Sequence, residues 1–94
     1  MNYELEFKAS ALKEWRKLDG TIKEQFKKKL EERLQNPVVE SAKLSGMPDC
    51  YKIKLKASGY RLVYQVQHAR LVVVVVAVGK REGNAVYLTA ADRL

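Results

Sequence analysis

Hydrophobic and polar positions alternate from the first residues. Tyr3, Leu5 and Phe7 are interleaved with Asn2, Glu4, Glu6 and Lys8, the pattern of a short strand with one wet face. The period then lengthens. Ser10 stands where a helix N-cap is expected, ahead of Leu12, Trp15 and Leu18, and Asp19-Gly20 closes that helix. Thr21 and Glu24 have the spacing of a capping box. Ile22, Phe26, Leu30 and Leu34 recur every fourth residue behind it and predict the buried stripe of a second helix. Glu24, Lys28 and Glu32 lie one turn apart on its wet side, and Asn36-Pro37 stops it. Residues 9–35 therefore read as a helical hairpin.

The second half returns to period two. Tyr51, Ile53 and Leu55 alternate with Lys52, Lys54 and Lys56, and Ala57-Ser58-Gly59 forms a turn. Tyr60, Leu62, Tyr64 and Val66 alternate with Arg61, Val63 and Gln65, and Gln67-His68-Ala69-Arg70 is the next turn. Leu71 to Val78 is an unbroken apolar run rich in β-branched residues, which predicts a central strand buried on both faces. Exposed at an edge, the same run would be an aggregation hazard. Gly83-Asn84 reads as a turn, and residues 86–94 as a short C-terminal helix or tail. The expected fold is α+β: an N-terminal strand and a two-helix hairpin packed on one face of a curved, mainly antiparallel sheet. The lysines fall on the other face.

Length and composition narrow this further. The 94 residues fit one domain, 1–94, which at this size buries roughly 60–65% of its unfolded surface without help from disulfides or metal. A hydrophobic content of 47% excludes a disordered chain. The single cysteine, Cys50, cannot form an internal disulfide. The N-terminal stretch has no apolar core behind a basic start, so no signal peptide is expected. The longest apolar run, Leu71 to Val78, is eight residues, against about 20 for a spanning helix. A cytoplasmic chain with no membrane partner is expected.

Charge changes the picture most. The net charge is +7. Residues 1–50 carry 10 basic and 9 acidic side chains, and residues 51–94 carry 8 and 2. The excess is thus +6 in the second half, on predicted strands. A field of this kind suits a polyanion, nucleic acid first. Most familiar enzyme devices are missing. One histidine, His68, in a turn, excludes a two-histidine ribonuclease mechanism. His68, Cys50 and the scattered carboxylates have no metal-ligand spacing, so neither metal nor cofactor is expected. Cys50 borders a strand and reads as core. Gly79-Lys80 lacks the remainder of a phosphate-binding loop.

The cations are the chemistry-bearing group. Lys52, Lys54 and Lys56 share one strand face, stepping about 6.6 Å. Arg61 can face the same way from the next strand, while Lys80 and Arg81 follow the central one and Tyr87 lies close behind. Cations for phosphates and a ring for a base suit a nucleic-acid strand. Crowded cations also depress one another: at about 7 Å two charges repel by roughly 0.6 to 2.4 kcal/mol. Such crowding could bring a central lysine towards about 7–8, within reach of general-base work. Bound RNA would raise it again. Arginines can stabilise a pentacovalent phosphate.

Four stretches carry a specific resemblance. Ala11-Leu12-Lys13-Glu14-Trp15-Arg16-Lys17-Leu18 is the first. Lys43-Leu44 with Gly46-Met47-Pro48-Asp49-Cys50-Tyr51-Lys52-Ile53-Lys54-Leu55 is the second. Ser58-Gly59-Tyr60-Arg61-Leu62-Val63-Tyr64 and Val78-Gly79-Lys80-Arg81-Glu82 complete the set. Together they resemble the RelE toxins of RelBE toxin–antitoxin pairs, in register over nearly the whole chain. The resemblance implies a ribosome-dependent endoribonuclease that cuts the mRNA codon in the A site. The 2′-OH attacks the phosphate and leaves a 2′,3′-cyclic phosphate and a 5′-OH. By position it implies Lys54 as general base assisted by Lys52, Arg61 as stabiliser of transition-state charge, Arg81 as general acid and Tyr87 as the ring that stacks on a base. Lys56, Lys80 and Arg16 are further candidates for RNA or rRNA contacts. The implied partners are a RelB-type antitoxin, the 70S ribosome with its mRNA and rRNA, and operator DNA indirectly through the antitoxin complex.

Two other readings stand beside this one. ParE-like toxins share the fold and inhibit DNA gyrase, and a plain nucleic-acid-binding module would need the basic face without catalysis. The set Lys52, Lys54, Arg61, Arg81 and Tyr87 favours a RelE-type nuclease over a ParE-like toxin, and cleavage on programmed ribosomes separates all three. The tail from Gly83-Asn84-Ala85 onward resembles the family least.

Overall fold

A computed structural model of the chain describes residues 2–80 and 84–94. Strand β1 (Glu4–Phe7) leads into helices α1 (Ala9–Arg16) and α2 (Gly20–Gln35). A single 3-10 turn at Glu40–Ala42 precedes strands β2 (Cys50–Lys54), β3 (Tyr60–Gln67) and β4 (Val72–Lys80), and helix α3 (Ala85–Arg93) follows. The four strands form one sheet in the order β1-β4-β3-β2. Strands β2, β3 and β4 are an antiparallel meander, whereas β1 lies parallel to β4, with Glu4 opposite Val72 and Phe7 opposite Val75. The sheet is therefore mixed, α+β as the patterning predicts. A parallel pair needs a long crossover, and the hairpin α1–α2 with the first two meander strands supplies it.

Position in the sheet explains the valine run. Strand β4 lies between β1 and β3, and Val72 to Val78 are all buried. On one face, α1 and α2 bring Ala11, Phe26 and Leu30 onto Ile53, Leu62, Tyr64, Val73 and Val75. Trp15 closes that core from the side, its ring 5.3 Å from Phe7 and 6.2 Å from Phe26. On the opposite face α3 sets Val86 and Ala90 on Cys50, Val63, Val76 and Ala77. Residues 85–93 are thus a helix, which settles the choice between helix and tail.

Two caps differ from the sequence expectation. Helix α1 begins at Ala9, so Ser10 lies inside it, and Lys8 takes the N-cap position without a side-chain cap. The helix starts directly off β1, because the Lys8 N–H is already spent on the Val75 carbonyl at 3.0 Å. Helix α2 begins at Gly20, and its cap is Asp19, not Thr21: Asp19 Oδ1 accepts from the Ile22 N–H at 2.9 Å. Asp19 holds the extended backbone an N-cap needs (φ −72°, ψ 165°). Glu24 instead approaches Lys27 on the exposed side, at 3.6 Å.

Strand β4 carries one irregularity in its pairing with β3. Val63 pairs with Ala77, but the next residue, Tyr64, pairs with Val75. Val76 is the extra residue of a β-bulge on β4. A bulge breaks the alternation of faces. Val73, Val75 and Val78 consequently join the core under the hairpin, while Val76 and Ala77 both join the core under α3. Among the described residues, no helix is long and apolar enough to cross a membrane.

Candidate active site and nucleic-acid interface

Three basic residues of the second half, Lys52, Lys54 and Arg61, meet on the α3 face of the sheet. Lys54 on β2 lies directly opposite Arg61 on β3, and Arg61 lies opposite Gly79 on β4. Directly opposed residues project to the same face, so Lys54, Arg61 and Gly79 form one row across three strands. Lys52, two residues back, takes the same face opposite Val63. The bulge at Val76 makes this row possible. Without the extra residue Gly79 would belong with Val73 and Val75, on the hairpin side.

Tyr87 completes the cluster from α3. Arg61 Nη1 donates to Tyr87 Oη at 3.2 Å, and the guanidinium carbon lies 5.4 Å from the ring centroid. Arginine and ring are therefore held in both hydrogen-bond and cation–π contact. Gly79 permits this approach. A Cβ built there would stand 3.0 Å from Val86 Cγ2, so a larger residue would require the Val86 side chain of α3 to give way. Beyond the row, Lys54, Lys56 and Arg61 line an open hollow of about 210 Å³ together with Tyr60.

The remaining candidates are placed differently. Strand β2 ends at Lys54, so Lys56 belongs to the following turn, exposed, rather than to the strand face the alternation predicts. It still reaches the hollow. Lys80 pairs with Tyr60, one step out of phase with Arg61, and its Nζ lies 5.9 Å from the Tyr60 ring. The register turns it to the hairpin side of the sheet. Arg16 is exposed in the last turn of α1, a helix of the hairpin face. Arg81 lies outside the described residues. The structure thus brings together Lys52, Lys54, Arg61 and Tyr87, with Lys56 at the rim.

Lysine at a sheet edge has an ordinary use, because it blunts strand-to-strand association. Strand β2 is an edge, so Lys52 and Lys54 alone would prove little. Arg61 is different. It sits half-buried on an inner strand paired on both sides, where edge protection is irrelevant. An arginine there is a fixed, forked donor for phosphate oxygens. The cluster can hold a polyanion and stabilise extra charge on phosphorus. Among the described residues no group of three or more His, Cys, Asp and Glu side chains could hold a metal ion.

Several residues that the sequence did not single out support the site. Arg33, at the end of α2, donates to Tyr64 Oη at 2.9 Å and to the Lys52 carbonyl at 3.2 Å. Tyr64 Oη in turn donates to the Pro37 carbonyl at 2.7 Å. One guanidinium and one buried phenol thereby tie the lysine-bearing edge strand to α2. Burial raises the Tyr64 phenol above its ordinary value, against the opposing pull of Arg33. Arg33 follows Leu30 by three positions, which places it beside the buried stripe. That was the available signal. Cys50 is buried under α3, and burial, with Asp49 beside it, pushes its thiol up to about 11. It is core, as expected, and no nucleophile. His68 is exposed in its turn, 3.5 Å from Asp49.

A mixed four-stranded sheet, a helical hairpin on one face and a cationic row on the other define a class. The chain belongs to the RelE/ParE toxin family: the model described as the ParE toxin of the type II toxin–antitoxin system parDE matches residues 5–85. Within that family the similarity is to RelE. The mRNA interferase toxin RelE of Escherichia coli strain K12 is 60% identical over 94 residues, covering 100% of this chain and 99% of that one. The free E. coli toxin RelE, solved with two arginines replaced by alanine, superposes with a TM-score of 0.92 at 58% identity, over 100% of this chain and 99% of that one. The toxin in the intact E. coli RelBE toxin–antitoxin complex gives 0.83 at 62% identity, over 85% and 98%. The resemblance read from the sequence and the α+β fold are both borne out.

Proposed function

We propose that this chain is the toxin of a type II toxin–antitoxin pair and acts as a ribosome-dependent mRNA endonuclease. Supporting this is its 60% identity to a protein named mRNA interferase toxin RelE. The observation that carries the reading is the Lys54–Arg61 row with Tyr87 held on Arg61. In the proposed reaction the mRNA 2′-oxygen attacks the adjacent phosphorus. Lys54, assisted by Lys52, takes the 2′-OH proton. The P–O5′ bond breaks as the new P–O2′ bond forms, giving a 2′,3′-cyclic phosphate and a 5′-OH. Arg61 stabilises the phosphorane charge, Arg81 delivers the leaving-group proton and Tyr87 stacks on a base. An arginine is a reluctant acid. That deficit fits an enzyme whose substrate is oriented by the ribosome, since positioning alone can supply several kcal/mol.

The same reading gives the partners. A RelB-type antitoxin would cover the basic face, as the E. coli toxin is found in complex with its antitoxin. Operator DNA would be reached through that complex, and rRNA by the exposed lysines. The deciding experiment uses purified protein and ribosomes programmed with defined mRNA. Cleavage confined to the A-site codon, with cyclic phosphate ends, is the expected result. The family model's ParE name gives the second reading, a gyrase inhibitor. Intact mRNA together with arrested supercoiling by gyrase would establish that reading and overturn ours.

A further inference from the structure

The outer edge of β4 has a partner only as far as β1 reaches. Pairing with β1 ends at Phe7–Val75, and the Lys8 N–H takes the Val75 carbonyl. Immediately beyond lies the bulge, where the Val76 carbonyl and the Val78 N–H lack a neighbouring strand. Two charged side chains take its place. Glu14, from α1, accepts from the Val78 N–H through Oε1 at 3.1 Å. Arg93, from α3, donates to the Val76 carbonyl at 2.8 Å. The two also form a forked pair, Nη1–Oε1 at 2.8 Å and Nη2–Oε2 at 3.2 Å. Their side chains are only 31% and 22% exposed, so this is no solvated surface contact.

This clasp joins helices on opposite faces of the sheet around its edge. Helix α3 has little else to hold it. It buries only Val86 and Ala90, and leaves Leu88 66% exposed. At its other end stands Tyr87 on Arg61. We propose that Glu14 and Arg93 are positioning residues for the reaction: anchored on the bulged edge of β4, their pair fixes α3 so that Tyr87 is presented beside Arg61. The proposal rests on the nuclease reading, with Tyr87 as the ring that receives a base. Arginine suits the task because its planar fork grips the carboxylate through two nitrogens and still donates to the carbonyl, a rigid geometry an ammonium reproduces only in part.

The test is single-turnover cleavage on programmed ribosomes, with amide exchange of α3 followed in parallel. Arg93→Met should lower the rate at saturating ribosomes by about tenfold, within the roughly 10²-fold that a 1 Å misplacement can cost. The ribosome concentration at half-maximal rate should change less than about twofold, because the row itself is intact. Arg93→Lys should recover part of the loss. The double variant Arg93→Met with Tyr87→Ala should be no slower than Tyr87→Ala alone, since both act through one ring. Additive losses, or a wild-type rate in Arg93→Met despite faster α3 exchange, would overturn the proposal. Should Arg93→Met not fold, Glu14→Gln keeps the acceptor for Val78 and must show the same non-additivity with Tyr87→Ala. If the wild-type chain cuts no mRNA, the nuclease reading fails separately. Positioning is then decided by whether Arg93→Met accelerates α3 exchange and frees Tyr87 from Arg61.

Discussion

The two faces of the sheet are built on different terms. The hairpin face is covered by α1 and α2, closed at the side by Trp15 and pinned at the β2 edge by Arg33 and Tyr64. The α3 face is covered by nine residues, of which two are buried. What it leaves open is Lys54, with Lys52 and Arg61 half-buried beside it. One face provides stability, and the other exposes charge that a stability-driven design would cover. The difference teaches where to expect function: at the thinly covered face, on strands whose backs are held rigid by the other.

If that division is right, substitutions on the two faces should separate cleanly. Phe26→Ala, fully buried beneath the hairpin, should cost about 3–5 kcal/mol. Denaturant unfolding would read this as loss of most of the stability such a domain possesses. Lys54→Ala with Arg61→Ala should do the opposite. Ribosomal cleavage should fall by about 10²–10³-fold or more, the scale of losing preorganised charge stabilisation. The unfolding midpoint should stay close to that of the wild type. A large stability loss in the double variant, or intact cleavage, would break the comparison.

A smaller effect sharpens the boundary between the faces. Tyr64 belongs to the hairpin core, yet through Arg33 it reaches the Lys52 carbonyl. Tyr64→Phe leaves the Pro37 carbonyl without its donor and Arg33 without one acceptor. The expected cost is roughly 1–3 kcal/mol, with cleavage slowed at equal folded fraction because β2 is held less firmly. A stability loss without any change in rate would confine Tyr64 to the core.

These contrasts also mark how much the sequence could disclose. Strands β2, β3 and β4 and the hairpin were legible because their periods are local, and the cationic set because its members lie two residues apart or in adjacent strands. Tyr87 was legible as an aromatic close behind the cations and the resemblance gave it a role, but no local pattern could place it on Arg61. The parallel pairing of β1 with β4 was not legible, because it depends on contacts across most of the chain. Nor was the bulge, since Val76 is one valine among five in succession. That single extra residue decides the placement of Lys80, turning it from the row towards Tyr60. Glu14 and Arg93 escaped for the same reason. Their meaning lies in a free sheet edge that exists only once β1 has ended.

Alkaline pH offers a graded way to weaken the thin face. Cys50 is packed under α3 with Val63 and Ala90. Its thiol rises from 9.0 to about 11, first through burial and then through Asp49. A raised acid prefers its neutral form in the folded chain, so the unfolded chain loses its proton first. Stability is unaffected below pH 9 and declines as pH climbs from there towards 11. At pH 10 this single group should account for about 1.4 kcal/mol, the equivalent of a tenfold shift in the folding equilibrium. Tyr64, whose phenol is likewise raised by burial, acts in the same direction from the hairpin side, starting near pH 10. Unfolding midpoints from pH 8 to 10.5 therefore measure both faces. Cys50→Ala should remove the portion of the decline that begins at pH 9 and leave the later portion, which Tyr64→Phe should remove. A decline starting at pH 9 in Cys50→Ala as well would mean that the thiol is not what holds the thin face against base.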